Sequence, residues 1–521
     1  MRSRIWKKPT LLLGALVALV ALLAAACASG VPQQDLDAAK AQLQAKEQEL
    51  AQAKGQLSQK DGEIASLGAQ VKGLAPTTIV QTGQLQPAPA GAQPTGWDTA
   101  ESMRGGLTLF ARYDSSGPDA YDVKKHPLVY VSSEGMAKVG SPGKNKYAGL
   151  YIIDANTKEV VASATYNLGY EHTGAGHTTG ISPDGKWFYA GTTVKIDNES
   201  TPLVLIINAR TLKLDKALKG VGIAKGFALH HSIGFIDSKG KDRVTLTKNS
   251  GPGFILDPKD DNRVVRAITA QDVAMLGHNY VTISPDGKWL YWALRPSSWG
   301  NEHGEGGVAK INLETGAVTY IWGLGEGANP LGMAHTADGK FTYINDAHGD
   351  AVYKIDNATN TIVGKTNAGV AGPYGLTLNW DETQLYTIGK GEGSHNTGHV
   401  IGVIDTGTKP GAIFRPNRDF NQPIVLGSSA KSIDHGILHP DPKVNELWVS
   451  NMAGWETIVL DLNTREVKAY IPTPNGGDTH SGGFVRYNPD WTGKLVNDMG
   501  GPKADVYAAK VPLVAAALAA K

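Results

Sequence analysis

The chain has 521 residues, 41% of them apolar, with 50 Lys and Arg against 49 Asp and Glu. That is ample material for a packed core, and the near-neutral balance excludes a protein that acts by coating nucleic acid or an anionic surface. With 63 Gly and only 19% charged residues the body reads as turn-rich and all-β, and a single Cys excludes any internal disulfide.

Arg2, Arg4, Lys7 and Lys8 precede an apolar run from Leu11 to Ala26, the order of a secretory signal. The run ends Leu23-Ala24-Ala25-Ala26-Cys27, which resembles a bacterial lipobox with Ala24 at the position where Leu is usual. The resemblance implies cleavage after residue 26, diacylation of Cys27, and a mature protein anchored by lipid to a bacterial membrane on its periplasmic or cell-surface face. An uncleaved transmembrane helix is the competing reading, and the run is short against the ~20 residues that a bilayer requires.

After the lipidated segment 27–34, Leu36, Leu43, Leu50, Leu57, Ile64 and Val71 recur at every seventh position. This heptad seam predicts a coiled-coil stalk over 35–74, on the order of 55 Å long, through which copies of the chain self-associate. The second core row (Ala39, Lys46, Ala53, Lys60, Leu67, Leu74) is weak at first, so the seam leaves the oligomer order open. Residues 75–96, including LQPAPAGAQPTG, read as a linker.

From Trp97 to Pro512 one phrase recurs: ISPDGKWFYAG from Ile181, ISPDGKWLYWA from Ile283, HTADGKFTYIND from His335, LNWDETQLYTIG from Leu378 and HPDPKVNELWVSN from His439. Each reads as strand, turn, strand. A second strand–turn–strand phrase follows in units such as VAKINLETGAVTYIW and TIVLDLNTREVKAYI. Four short strands every ~40–60 residues predict a β-propeller. Seven blades result if the strands at the two ends of the domain share one blade, and eight if they do not. Residues 513–521 form a tail. The SPDGKxxY phrase resembles YVTN-type repeat propellers of microbial surfaces and periplasms.

Histidine recurs near the expected start of the inner strand: His177, the pair His230 and His231, His278, His335, His435 and His480, with Tyr374 in the unit that has none. Ring closure brings such positions together at one mouth of the channel. Neutral imidazoles suit copper or another transition metal, and the chain offers no cluster of Cys for softer chemistry. His172, Tyr374, Asp434 and Asp478 are accessory candidates, the carboxylates as orienters of ligating rings. His126 and His439 precede Pro and read as turn residues. Asp184, Asp286 and Asp338 read as turn formers.

The GHTTGISPDG and GMAHTADGK motifs and the His-His pair resemble the propeller of nitrous-oxide reductase, whose ring of histidines holds a copper–sulfide cluster. The resemblance implies a metal-dependent oxidoreductase. The chain departs from that family in having one Cys and no copper electron-entry domain. Two other readings stand beside it: a haem in the channel, as in the propellers of dissimilatory nitrite reductases, and a non-enzymatic scaffold with structural histidines that presents its faces to a redox or envelope partner protein.

Overall fold

The computed structural model describes strand Thr77–Thr82, scattered residues between 34 and 52, and residues 106–519 apart from 136–146, 249–250, 270–271, 274–279, 297–303, 392–397, 419–422, 428–430 and 475–476. The chain divides into two compact units, Met1–Ala75 and Pro76–Lys521. In the first, the described residues are helical and exposed, whereas Cys27 and the seam residues Leu36, Leu43 and Leu50 lie outside the described set. No helix among the described residues is long and apolar enough to cross a membrane.

The second unit is a β-propeller, and seven sheets are present among its described residues. We number them by the order in which their principal strands occur. The third to seventh begin with inner strands His231–Ile236, Val281–Ile283, Pro330–His335, Pro373–Leu378 and Ile433–Leu438. The second has Gly180–Ile181 in that place. The first sheet draws on both ends of the domain: Gly482–Tyr487 pairs antiparallel with Leu128–Glu134, which pairs onward to Ala148–Asp154 and Val160–Asn167. The inner strands from Gly180–Ile181 to Ile433–Leu438 pack successively on one another around the axis, Ile433–Leu438 packs on Gly493–Asp498, and Gly482–Tyr487 packs on Gly180–Ile181, closing the circle. Thr77–Thr82, within the stretch read as linker, lies parallel to Val160–Asn167 as an added edge strand.

Local sequence explains the hairpins. In SPDG, Ser182 Oγ donates to Asp184 Oδ1 at 2.6 Å, Asp184 Oδ1 accepts from Lys186 N at 3.1 Å, and Gly185 takes a φ of 68° that a side chain would resist. Ser284, Asp286 and Gly287 repeat the arrangement. The second phrase turns on an Asx cap: Asn312 Oδ1 accepts from the N–H groups of Glu314 and Thr315, as Asp356 Oδ1 does from Ala358 and Thr359. The aspartates of these phrases are therefore conformational, as their spacing indicates.

Between sheets the apolar faces interlock, and a cation crosses most junctions. Lys216 of the second sheet reaches Asp261 of the third, and Arg266 of the third donates to Asn312 O of the fourth at 3.0 Å. Lys310 of the fourth donates to Asn360 Oδ1 of the fifth at 2.8 Å, and Lys354 of the fifth reaches Thr406 O of the sixth at 3.4 Å. At the closing junction Lys158 of the first sheet pairs with buried Glu446 of the seventh at 3.0 Å. Three of these cations also stand over rings: Lys158, Lys310 and Lys354 place Nζ 5.5, 4.6 and 4.2 Å from the ring centres of Trp448, Trp289 and Phe341. Trp448 fills the closing junction against Tyr130 and Phe484, with ring centres 5.0 and 5.3 Å away.

The channel is not empty. Strand Gly493–Asp498 pairs with Gly482–Tyr487 on the side away from Leu128–Glu134, which puts it at the axis rather than in the body of a blade. It is fastened to several inner strands: Leu495 N donates to Pro183 O at 2.8 Å, Asn497 Nδ2 to Leu438 O at 2.6 Å, and Gly234 N to Asp498 Oδ2 at 3.2 Å. The chain then turns into helix Ala504–Ala519, which begins well before the residues read as a tail. The helix docks at the C-terminal ends of inner strands, where buried Lys510 meets buried Glu382 at 3.3 Å and Leu378 O at 3.4 Å. Burial pushes the Glu382 carboxyl up and the Lys510 ammonium down, each opposed by the charge of the other.

Lys510→Met is expected to leave an uncompensated buried carboxylate and to cost about 3 kcal/mol. Urea unfolding should show a lowered midpoint that Lys510→Met/Glu382→Leu largely restores. Equal loss in the single and double variants would contradict this account of the pair.

Candidate functional site

Five histidines come together at the N-terminal ends of the inner strands. His177 precedes Gly180–Ile181, His230 precedes His231–Ile236 and His231 opens it, His435 is the third residue of Ile433–Leu438, and His480 precedes Gly482–Tyr487. They belong to the second, third, seventh and first sheets, which are consecutive around the closed ring. The inner strands approach so closely here that a Cβ on Gly375 would stand 2.7 Å from Asp434 O.

The backbone that carries these rings is cross-tied within and between sheets. Ser132 Oγ donates to Ser481 O at 2.9 Å and shares a 2.7 Å hydrogen bond with Thr479 Oγ1, which grips the residues on both sides of His480. Thr178 Oγ1 donates to His230 O at 3.1 Å, and Ser133 Oγ to His177 O at 3.4 Å. Asp434 Oδ1 accepts the backbone N–H of His435 at 2.7 Å. These ties fix the backbone from which the rings extend.

His231, His435 and His480 are buried to 1% exposure or less, His177 is buried, and His230 is half-buried and the most open of the five. The ring centre of His177 lies 3.1 Å from that of His480, 3.9 Å from that of His230 and 5.5 Å from that of His231. His435 lies 5.5 Å from His231 and 5.6 Å from His480. Three overlapping groups have ligand atoms within 4.8 Å of one another: His177, His230 and His231; His231, His435 and His480; and His177, Asp434 and His480. Donors spaced this way suit an ion held by bonds of ~2 Å.

Around the imidazoles stand Tyr280 and Tyr374. Tyr280 stacks on His435 with ring centres 5.7 Å apart, and its hydroxyl donates to Met499 O at 2.8 Å, joining the site to the turn that follows the axial strand. The Tyr374 ring meets His435 edge-on at 5.0 Å, and Lys390 Nζ lies 3.9 Å from the Tyr374 ring centre and 3.9 Å from Asp434 Oδ2. Asp434 Oδ2 lies 2.8 Å from His480 Nδ1, and Met452 Sδ lies 3.1 Å from the same nitrogen. Tyr280, Lys390 and Met452 were not singled out by the sequence. Tyr280 carried a legible signal, since it stands immediately before its inner strand; the other two come from loops whose approach depends on closure.

The remaining candidates divide. His278 lies outside the described residues. Asp478 is buried two residues before His480 but belongs to none of the three groups. His335 does not join the cluster. It is the last residue of its inner strand, about 17 Å of extended chain from the end where the imidazoles gather. Its Nε2 and Nδ1 each share a 2.8 Å hydrogen bond, with Thr282 Oγ1 and Thr342 Oγ1, and Tyr291 packs edge-on against it. The cause is spacing: His177 stands seven residues before Asp184 of its turn, whereas His335 stands three before Asp338, so Leu331 occupies the matching place. His172 also lies apart from the groups, its Nε2 accepting from Leu168 N and its Nδ1 sharing a bond with Thr192 Oγ1, both at 3.1 Å. A groove of 530 Å³ between the third and fourth sheets, lined by Arg243 and Arg266, shares no residue with the cluster.

No family model matches the chain, and no curated protein does. Among solved structures, it is similar to NirN, a dihydro-haem d1 dehydrogenase in complex with DHE, at 15% identity and a TM-score of 0.44 over 76% of this chain and 83% of that one. It is also similar to the periplasmic gluconolactonase PpgL of Pseudomonas aeruginosa, at 16% identity and a TM-score of 0.47 over 68% of this chain and 99% of that one. At these scores neither says what this chain binds.

Burial holds the pKa of His335 down at about 3 and those of His172 and His439 down at about 4. Unfolding returns each to an ordinary value near 6.5, so below that pH the unfolded chain binds more protons and stability falls as pH drops. For His335 the loss between pH 6.5 and 4 is about 3 kcal/mol. Denaturant midpoints measured across this range should fall less steeply with acid in His335→Gln than in the parent. An unchanged acid limb would contradict the assignment of His335 as a buried neutral core residue.

Proposed function

We propose that this chain is a seven-bladed, lipid-anchored, extracytoplasmic propeller that holds a transition metal, copper before others, in the imidazole cluster formed by His177, His230, His231, His435 and His480. The observation that carries this reading is the overlap of three donor groups through His177, His231 and His480, all three of them buried. Neutral imidazole is a ligand for copper, zinc, iron and nickel, and copper(II) stands highest in the divalent affinity order. A bound copper would supply one-electron chemistry.

The chain's own residues would do the rest. The serine and threonine ties keep the rings in place, Tyr280 and Tyr374 wall the site, and the axial strand closes the channel behind it. A small molecule would then approach from the side of His230, the most exposed ring. Lys390, beside Asp434 and over Tyr374, places a cation near the carboxylate and balances its charge. The run ending at Cys27 and the heptad seam support an anchor and a self-associating stalk that hold the propeller off a bacterial membrane, where a redox or envelope partner protein would meet it.

Elemental analysis of full-length protein purified from membranes of the expressing cells tests the reading. At least one copper, or another first-row metal, per chain is expected in the parent and in His335→Gln, with loss of most of it in His231→Gln/His480→Gln. Metal-free parent protein would overturn the reading. A strong haem absorption band would replace it with the haem alternative, and metal content indifferent to the double substitution would leave a scaffold with structural histidines.

A further inference from the structure

The third donor group differs in kind from the other two. The first two are made of imidazoles alone, whereas the third contains Asp434. At that end of the cluster stands a thioether that the sequence pattern did not reveal. Met452 opens the short 3-10 turn Met452–Gly454, directly after strand Glu446–Asn451 of the seventh sheet. Its side chain is buried, and Sδ lies 3.1 Å from His480 Nδ1, the nitrogen that is also 2.8 Å from Asp434 Oδ2.

Those separations have a geometric meaning. Two donors bound to one ion at ~2.1 and ~2.3 Å, and 3.1 Å from each other, subtend about 90° at the metal. The same construction for the 2.8 Å pair of Asp434 and His480, with bonds of ~2.0–2.1 Å, also gives about 90°. The thioether sulfur and the carboxylate oxygen therefore each stand at a distance from the His480 nitrogen that a shared ion would accept. A buried Met in a core fills space among apolar neighbours; here its sulfur instead stands 3.1 Å from a ring nitrogen.

From this geometry we infer that Met452 is a ligand of the proposed metal centre and the residue that sets its preference for copper(I). The inference rests on the metal reading above and adds an identity to it. Thioether sulfur is a soft donor that selects copper(I), whereas imidazole suits zinc, iron and nickel as well as copper. The chain's sole Cys, Cys27, stands in the other compact unit, so methionine is the source of sulfur within the propeller.

The test uses the full chain and two metals. Met452→Leu keeps shape and volume and should cost the fold little. Competition titrations with a copper(I) chelator are expected to show at least a tenfold weakening of copper(I) in Met452→Leu, a loss of the size that even an outer-sphere change produces. Zinc affinity, from a parallel titration, should move less than twofold. X-ray absorption at the copper edge should show a sulfur neighbour in the parent that is missing from the variant; this comparison holds even if the variant is less stable. A parent copper spectrum without sulfur, or equal losses for copper(I) and zinc, would overturn the role of Met452 while leaving an imidazole centre standing. A parent that binds neither metal would remove the centre itself.

Discussion

The imidazole mouth depends on hydrogen bonds between two strands that lie far apart in the chain, Gly482–Tyr487 and Leu128–Glu134. Their register, Leu128 opposite Arg486 through Ser132 opposite Gly482, joins the start of the domain to its end and brings His480 beside His177. The same pairing carries Ser132 to the backbone around His480, and Trp448, Tyr130 and Phe484 pack the junction that results. A closed ring of sheets resists opening because every sheet has two neighbours, so none can leave without breaking two junctions. That rigidity is what allows five imidazoles to be held at contact distance without a disulfide.

Closure also determines what happens at the axis. In the other sheets the inner strand has one partner, but Gly482–Tyr487 has two, and the second, Gly493–Asp498, is set down the channel. The turn after it carries Met499 beneath Tyr280, and the helix beyond covers the far mouth through Lys510 and Glu382. The propeller thus has two unlike ends: one sealed by the chain's own C-terminal segment, the other lined by imidazoles.

Much of the fold was legible because the hairpin chemistry repeats. The Ser-Pro-Asp-Gly turns and the Asx caps mark strand ends locally, and they behave as their residues require. The convergence of His177, His230, His231, His435 and His480 followed from treating blade starts as equivalent. His335 misled because a shared phrase, His-Thr followed by Asp-Gly, conceals a four-residue offset, and in a strand that offset moves a side chain from one mouth to the other. The axial strand was not legible, since Gly493–Asp498 has the composition of any second strand and its place depends on Leu128–Glu134 occupying the other edge of Gly482–Tyr487. Met452 and Lys390 were hidden for a related reason: their distance to His480 and Asp434 is a property of the closed ring and of no local pattern.

Counting imidazoles at the ion tests the central claim most directly. Protein loaded with one equivalent of copper(II) and measured by pulsed electron paramagnetic resonance reports the remote nitrogens of each coordinated ring. The account predicts at least three equivalent histidine couplings, since each all-imidazole group supplies three donors. Couplings from one ring or none would place the copper elsewhere and contradict a centre built by closure of the propeller.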